Sequence, residues 1–373
     1  MRILLVGDCA SLPTVLGSFI EGVGDGWTSQ QVPDGHGAMA TVATDPIDVV
    51  VVAPQLPDFD ATTLLGQVRT LRPDTLRIAL IDAEQGRRPP PARLIGIAHR
   101  FLPAPLTPEM LIEAVASLDD LRDRLDSARL RDAIGRIDKL PSPPHLYLSL
   151  TRALEQDEDA GSSDVARLVG ADPAIAAKVL QLSNSAYYSN GRVVSDLRSA
   201  VTRLGLSTLR DLVLASEVFA TPVLSTAERN ALQQRALLAA RVAASLLPAS
   251  SADLGATAAL LADIGLLLPD VRNEREEADS DDPRPGHAEA GAYLLGLWGL
   301  PMSIVEAVAF HREPGHGGNR TFWITGAVHV ALALVNGEPL DEAWLARAGV
   351  LPRLPQWREQ ANALMGVTGT ADA

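Results

Sequence analysis

The residues best equipped to do chemistry in this sequence lie in its second half. Asp263, His287 and His311 each carry a carboxylate or an imidazole, and His316 and His329 follow close by. Such groups can hold a divalent ion, so the set is a candidate metal site. Its bland counterpart is a helix-anchoring aspartate and histidines satisfied within a core. Asn184, Ser185 and Tyr187 form a second candidate, polar and aromatic groups at the end of an otherwise apolar helix pattern. They suit either a binding surface or structural locks, because buried Asn and Tyr groups require hydrogen-bond partners. Cys9 is the single cysteine, so no internal disulfide can form, which fits a reducing compartment.

Helical patterns must position these residues. Asp172-Pro173 reads as an N-cap followed by proline at the first helical position, where a missing N–H costs nothing. Ile175, Val179 and Leu182 then share one helix face. Ser195 reads as the cap of a next helix carrying Leu197, Val201 and Leu204, with Gly205 as its stop. Ser207 reads as the cap of a third. Ser162-Ser163-Asp164 supplies a cap further upstream. The segment VARLVGADPAIAAKVL has the cadence of a DNA-binding helix-turn-helix, but it offers only Lys178 and Gln181 as groove contacts. Residues 163–190 hold Arg167 and Lys178 against Asp164 and Asp172, no net charge to attract phosphates. Core helices are the better reading. Further on, residues 274–282 are acidic and polar and read as a solvated loop, followed by helical patterns over 287–297 and 321–336.

The first third has a different rhythm. Residues 2–6 and 48–52 are short apolar runs rich in branched residues, and 78–81 and 100–102 are weaker ones. Helical patterns at 61–71 and 108–118 lie between them. Buried strands alternating with helices indicate a doubly wound parallel sheet, whose sites sit at the carboxyl ends of the strands. Asp8, Ala53 and Asp82 are therefore expected at one edge. Beyond it, Leu111, Val115, Leu118, Leu121 and Leu125 form an apolar seam with charged flanks. Such a seam suits pairing of two chains or packing on the chain's own domains.

Several of these stretches resemble known families. Leu140-Pro141-Ser142-Pro143-Pro144, Asp172-Pro173-Ala174, Leu182 through Tyr188, and Ser199-Ala200-Val201 through Arg203-Leu204-Gly205-Leu206 resemble the HDOD family, from about Ile137 to Val335. That resemblance implies an all-helical, HD-related bacterial signalling domain without hydrolase activity. In HD phosphohydrolases an adjacent His-Asp pair, an earlier His and a later Asp hold the metal that activates water. The corresponding positions here are Ala262-Asp263, Arg235 and Leu332, so the resemblance implies a broken site, with Ala262, Asp263, His287 and His311 as its remnant. Residues 1 to about 120 resemble the receiver domain of response regulators, through Leu56-Pro57-Asp58-Phe59-Asp60 and Phe101 to Pro108. Receivers bind Mg²⁺ through an acidic cluster and phosphorylate an aspartate, supported by a hydroxyl group and a lysine. Here the phosphoacceptor position is Ala53, the lysine position Ala104, the hydroxyl position Asp82, and the acidic neighbour of Asp8 is Gly7. A methyl group cannot be phosphorylated, which implies a pseudo-receiver with Asp8 as remnant.

Composition agrees. In 373 residues, 47% hydrophobic content supports real cores while 4% aromatics leaves them to aliphatic side chains. A net charge of −14 argues against a nucleic-acid binder. The amino terminus does not read as a signal peptide, and no apolar run reaches the roughly 18 residues of a spanning helix. The expectation is a two-domain chain. An α/β, flavodoxin-like pseudo-receiver (1–120) and a helical connector (121–136) precede an all-α HDOD domain (137–335) and a C-terminal helical extension with a frayed tail (336–373). Its function is that of a cytoplasmic, non-catalytic signalling adaptor without cofactor or metal. It would bind signalling protein partners or a small ligand, or a second copy through the connector, and neither nucleic acid nor membrane. The alternative is a metal-dependent HD-type phosphohydrolase acting on a nucleotide or cyclic dinucleotide.

Overall fold

The computed structural model describes residues 1–9, 27–82, 90–125, 128–135, 137, 162–185, 188, 193–215, 224–274, 282–316 and 319–368. Tyr187 and the proline-rich segment 140–144 lie outside these residues.

The amino-terminal unit is a five-stranded parallel sheet in the order β2-β1-β3-β4-β5. Its strands are β1 (Arg2–Val6), β2 (Thr28–Val32), β3 (Val49–Val52), β4 (Leu76–Asp82) and β5 (Arg100–Ala104). The four valines of β3 are wholly buried, as a central strand covered on both faces requires. β2, with the sequence TSQQV, is largely solvent-facing on the sheet edge beside β1. Its polar composition hides it from an apolar-run criterion. Helices α1 (Gly35–Thr44), α2 (Ala61–Leu71) and α3 (Ala92–Ile97) connect the strands. Asp34 caps α1 through Gly37 N (2.8 Å), and Asp60 caps α2 through Thr63 N (2.9 Å).

The chain leaves the sheet through α4 (Pro108–Leu125) and α5 (Ala128–Gly135). Leu111, Val115, Leu121 and Leu125 are buried. The seam is thus covered within its own chain, and Leu121 lies against Gly296 of the helical unit. The helical unit comprises α6 (Ser162–Gly170), α7 (Pro173–Asn184), α8 (Leu197–Ala215), α9 (Thr226–Leu246) and α10 (Ala249–Leu261). It continues through a 3₁₀ turn (Ile264–Leu267) to α11 (His287–Leu297), α12 (Met302–Phe310), α13 (Ile324–Asn336), α14 (Glu342–Arg347) and α15 (Leu354–Thr368).

The Asp172 cap forms as the sequence predicts, accepting from Ala174 N (2.7 Å) and Ile175 N (3.2 Å), with Pro173 next. One expectation is corrected: the cap of α8 is Asp196, which accepts from Ser199 N (2.8 Å), rather than Ser195. Gly205, with φ of 75°, ends the first helical stretch of α8 as its sequence predicts, and a second stretch follows across the kink. In the C-terminal segment Trp344 and Trp357 are buried at 1% exposure, with Phe322 stacked on Trp357, and helix continues to Thr368. Residues Ala249–Leu267 are long and apolar enough to span a bilayer by length and composition, contrary to the sequence reading, and 61% of them are buried inside the fold. Such burial is that of a core helix.

The two units are joined by buried polar contacts. Arg100 of β5 donates from Nε to Leu297 O (3.1 Å), from Nη2 to Gly296 O (2.8 Å) and from Nη1 to Ala114 O. It thereby supplies cationic donors to the C-terminal carbonyls of α11, where the helix dipole is negative. Burial pulls its guanidinium down to about 10, countered by Glu113, so it stays charged at neutral pH. Gln181 Nε2 donates to His99 O (3.0 Å), and the Lys178 ammonium sits 4.1 Å above the Trp298 ring. Of the two residues that a groove-reading helix would present, Gln181 thus reaches the sheet unit and Lys178 is engaged within the helical unit.

Candidate functional site

Strand order places the ends of β1, β3, β4 and β5 at one sheet edge, with Asp8, Ala53, Asp82 and Ala104 at or just past those ends. Ala53 is 2% exposed. Gly7 adopts a φ of +80°, and a Cβ there would lie 2.6 Å from Leu56 Cδ2 and 3.0 Å from Ala53 Cβ. The Leu56 side chain thus fills the volume that a second acidic residue beside Asp8 would need. Asp8 itself is exposed. Cys9 is buried, its thiol pushed up to about 12 by that burial, and donates to Val6 O (3.2 Å). Asp58, two residues past Leu56, accepts from Gly35 N (2.9 Å) and His36 N (2.8 Å) at the start of α1, a carboxylate placed at a positive helix end.

The helical unit brings together what the sequence holds far apart. Asp263 follows α10, His287 begins α11 and His311 ends α12. All three are buried, and one ligand atom from each falls within 4.8 Å of the others. Their convergence depends on the 3₁₀ turn passing close to the start of α11. Gly265 permits this, since a Cβ there would collide with the His287 carbonyl.

The imidazoles are held from behind. His311 Nδ1 lies 2.8 Å from Val308 O, so it donates there. His287 Nδ1 lies 3.2 Å from Glu274 Oε2 and 3.3 Å from Glu274 N. One nitrogen cannot both donate and accept, and the charge-assisted contact to the carboxylate is the stronger. His287 Nε2 has no hydrogen-bond partner and lies 3.6 Å from Asp263 Oδ1. Burial lowers the His287 pKa, but the Asp263 and Glu274 carboxylates outweigh it and the net shift is upward. Glu274 is driven down to about 2: burial opposes the shift, while His287, the Ala288 amide and Arg312 overcome it.

The neighbouring positions complete the picture. Ala262 and Leu332 are buried hydrophobic side chains at 0% and 2% exposure. His329 donates from Nδ1 to His311 O (2.7 Å) and accepts at Nε2 from Asp341 N (3.0 Å), so both ring nitrogens tie helices together. His316 stacks on Phe310 at the surface.

Asn184 and Ser185 are spent inside the fold. The Asn184 amide clamps the chain at Val194, donating to its O (2.7 Å) and accepting from its N (2.6 Å). Ser185 Oγ donates to Leu182 O (2.6 Å). Both residues nonetheless line a cleft of about 210 Å³ between the units, with Arg100, Glu113, Gln181 and Trp298 among the other walls. Residue spacing could not reveal this cleft, because its walls come from β5, α4, α7 and the α11–α12 corner.

Comparison with known proteins follows this division. Residues 140–314 match the HDOD domain. An uncharacterized protein of Treponema pallidum (strain Nichols) is 30% identical over 208 residues, which is 48% of this chain and 39% of that protein. The match thus spans about two-fifths of the curated relative's length. The MmoQ response regulator from Methylococcus capsulatus str. Bath is similar over 58% of this chain and 98% of its own, with 22% identity and a TM-score of 0.46. The signal receiver domain of an HD domain-containing protein from Pseudomonas fluorescens Pf-5 covers 33% of this chain and 93% of its own, with 26% identity and a TM-score of 0.28. The half of the chain that assembles Asp263, His287 and His311 is thus an HDOD domain at residues 140–314, preceded by a five-stranded parallel sheet.

Proposed function

We propose that this chain is a signal-transduction adaptor that works by binding, with a receiver-like unit that does not accept a phosphoryl group. The observation that carries this reading is the cleft between the units, walled by Arg100 and Glu113 on one side and by Gln181, Asn184, Ser185 and Trp298 on the other. An occupant of that cleft touches both units at once, so it has different affinity for different arrangements of them, which is what coupling requires. The alanine at position 53 and the packing of Leu56 against Gly7 and Ala53 support the absence of phosphotransfer, because neither a phosphoacceptor nor an acidic neighbour of Asp8 stands at these positions.

A second reading, metal-dependent phosphoester hydrolysis, is favoured by the convergence of Asp263, His287 and His311. Against it stands their burial, 3%, 0% and 3% exposure, which leaves a phosphoester no approach to a metal-bound water.

One sample tests both statements. Incubation of the full chain with acetyl phosphate and Mg²⁺ leaves its intact mass unchanged. The same chain supplemented with Mn²⁺ or Zn²⁺ leaves bis(p-nitrophenyl) phosphate and a cyclic dinucleotide uncleaved. A phosphoryl adduct overturns the first part of the reading, and turnover lost on Asp263→Asn overturns the second.

A further inference from the structure

We propose that the groove between α6 and α8 on one side and α9 and α10 on the other binds a small organic monoanion, with its carboxylate head at Arg198 and an aliphatic body along the groove. Its walls come from positions 166–170, 196–199, 237–240 and 253–260. It shares no wall residue with the cleft between the units, so the adaptor reading stands or falls without it.

The groove exists because short side chains stand where two helix pairs would otherwise interlock. Ala166 and Gly170 of α6, Ala240 of α9 and Ala256 of α10 all line it, and a space of about 630 Å³ remains. Small-molecule sites fall in the range of about 300–1,000 Å³. Leu197, Leu237 and Leu260 supply its apolar surface, and Leu237 is 39% exposed in the middle of α9. An aliphatic ligand body covers that side chain and removes it from water. No aromatic side chain lines the groove among the described residues, so nothing there stacks on a nucleobase.

Its polar groups fix the ligand head. Thr257 is 4% exposed and lines the groove, yet its hydroxyl has no hydrogen-bond partner among the described residues. A desolvated hydroxyl left unpaired costs free energy, and a head oxygen of the ligand relieves it by accepting its proton. Arg167 and Arg198 are exposed on the wall, in a chain of net charge −14. Arg198 has no ion-pair partner among the described residues, and a guanidinium matches a carboxylate through two parallel N–H donors. Asp196 is occupied by the Ser199 amide at the start of α8. Asp253 of α10, the other acidic wall residue, repels a second negative charge and so favours a carboxylate over a phosphate dianion. Because α8 also packs against α3 of the sheet unit, an occupant that fixes α8 to α9 and α10 acts on a helix that both units touch.

The test is isothermal titration calorimetry of the full chain with decanoate. One decanoate binds per chain with Kd below about 1 mM, and added salt weakens the binding. Decylamine hydrochloride and decyl phosphate bind at least about 10-fold more weakly. Arg198→Gln weakens decanoate binding about 5- to 10-fold, the exposed charge pair being partly screened by water. Thr257→Val, which keeps the shape and removes the hydroxyl, weakens it about 3- to 10-fold. Arg358→Gln, an equal loss of charge outside the groove, leaves it unchanged. Should Thr257→Val fail to fold, Leu237→Asp, at an exposed position, sets a further carboxylate in the groove and abolishes binding. The absence of saturable binding by decanoate overturns the proposal. So does equal affinity for decylamine or decyl phosphate, or decanoate affinity undiminished in the folded variants.

Discussion

Asp172 shows how much a single capping residue can carry. It is 1% exposed, caps α7, and accepts at Oδ2 from Gln233 Nε2 of α9 (3.1 Å). Burial raises its pKa to about 6, against the lowering pull of the Ile175 and Ala174 amides, Arg229 and Gln233. An acid whose folded pKa exceeds its unfolded value binds protons more tightly when folded. Its contribution to stability therefore falls as pH rises from about 4 to about 6 and is level above that. A shift of roughly two units corresponds to about 3 kcal/mol. Asp172→Asn keeps an oxygen for the Ala174 and Ile175 amides and removes the titration. In urea unfolding at a series of pH values, the stability of the variant relative to wild type is expected to rise by about 2–3 kcal/mol between pH 4 and 7. A difference that stays constant over that range would show that the carboxylate is not desolvated.

At the scale of elements, α11 is the one on which most depends. It carries His287 at its first residue, receives Arg100 at its last carbonyls, and lets α4 approach closely through Gly296. A Cβ on Gly296 would lie 2.5 Å from Leu121 Cδ1. Gly296→Ala therefore forces the Leu121 side chain or the helix itself to move, and overpacking of this kind costs about 1–3 kcal/mol. The expected result is a lower midpoint in urea with an unchanged slope; an unaltered midpoint would mean that the α4–α11 contact yields freely. The same contact explains why the seam of α4 is so regular. Leu121 of that seam answers to Gly296 of α11 in the same chain.

For the whole molecule the decisive interaction is Arg100. A guanidinium at 8% exposure, bonded to carbonyls of both units, ties the sheet to the helical half more tightly than an exposed ion pair could. Arg100→Ala leaves these carbonyls without their charged donor, and the loss is expected at about 3–5 kcal/mol, since bonds to charged groups contribute roughly 1.5–3 kcal/mol each. The unfolding transition should separate into two, one for each unit. A single transition at the wild-type midpoint would show that the units are held by apolar contact alone.

The sequence by itself determined the strands of the sheet core, the Asp172-Pro173 start of α7 and the alanine just past β3 at position 53. Each of these is encoded locally, by period, by capping chemistry or by the identity of one side chain. β2 escaped because an edge strand facing water needs no apolar run. Ser195 was preferred to Asp196 as a cap because both residue types serve there, and only backbone geometry chooses between neighbours. The tertiary structure alone decided that α4 packs inward, that Gln181 reaches the sheet unit, and that Asp263, His287 and His311 meet. Those outcomes depend on helix crossings between residues far apart in the chain, and no spacing within a single segment records them.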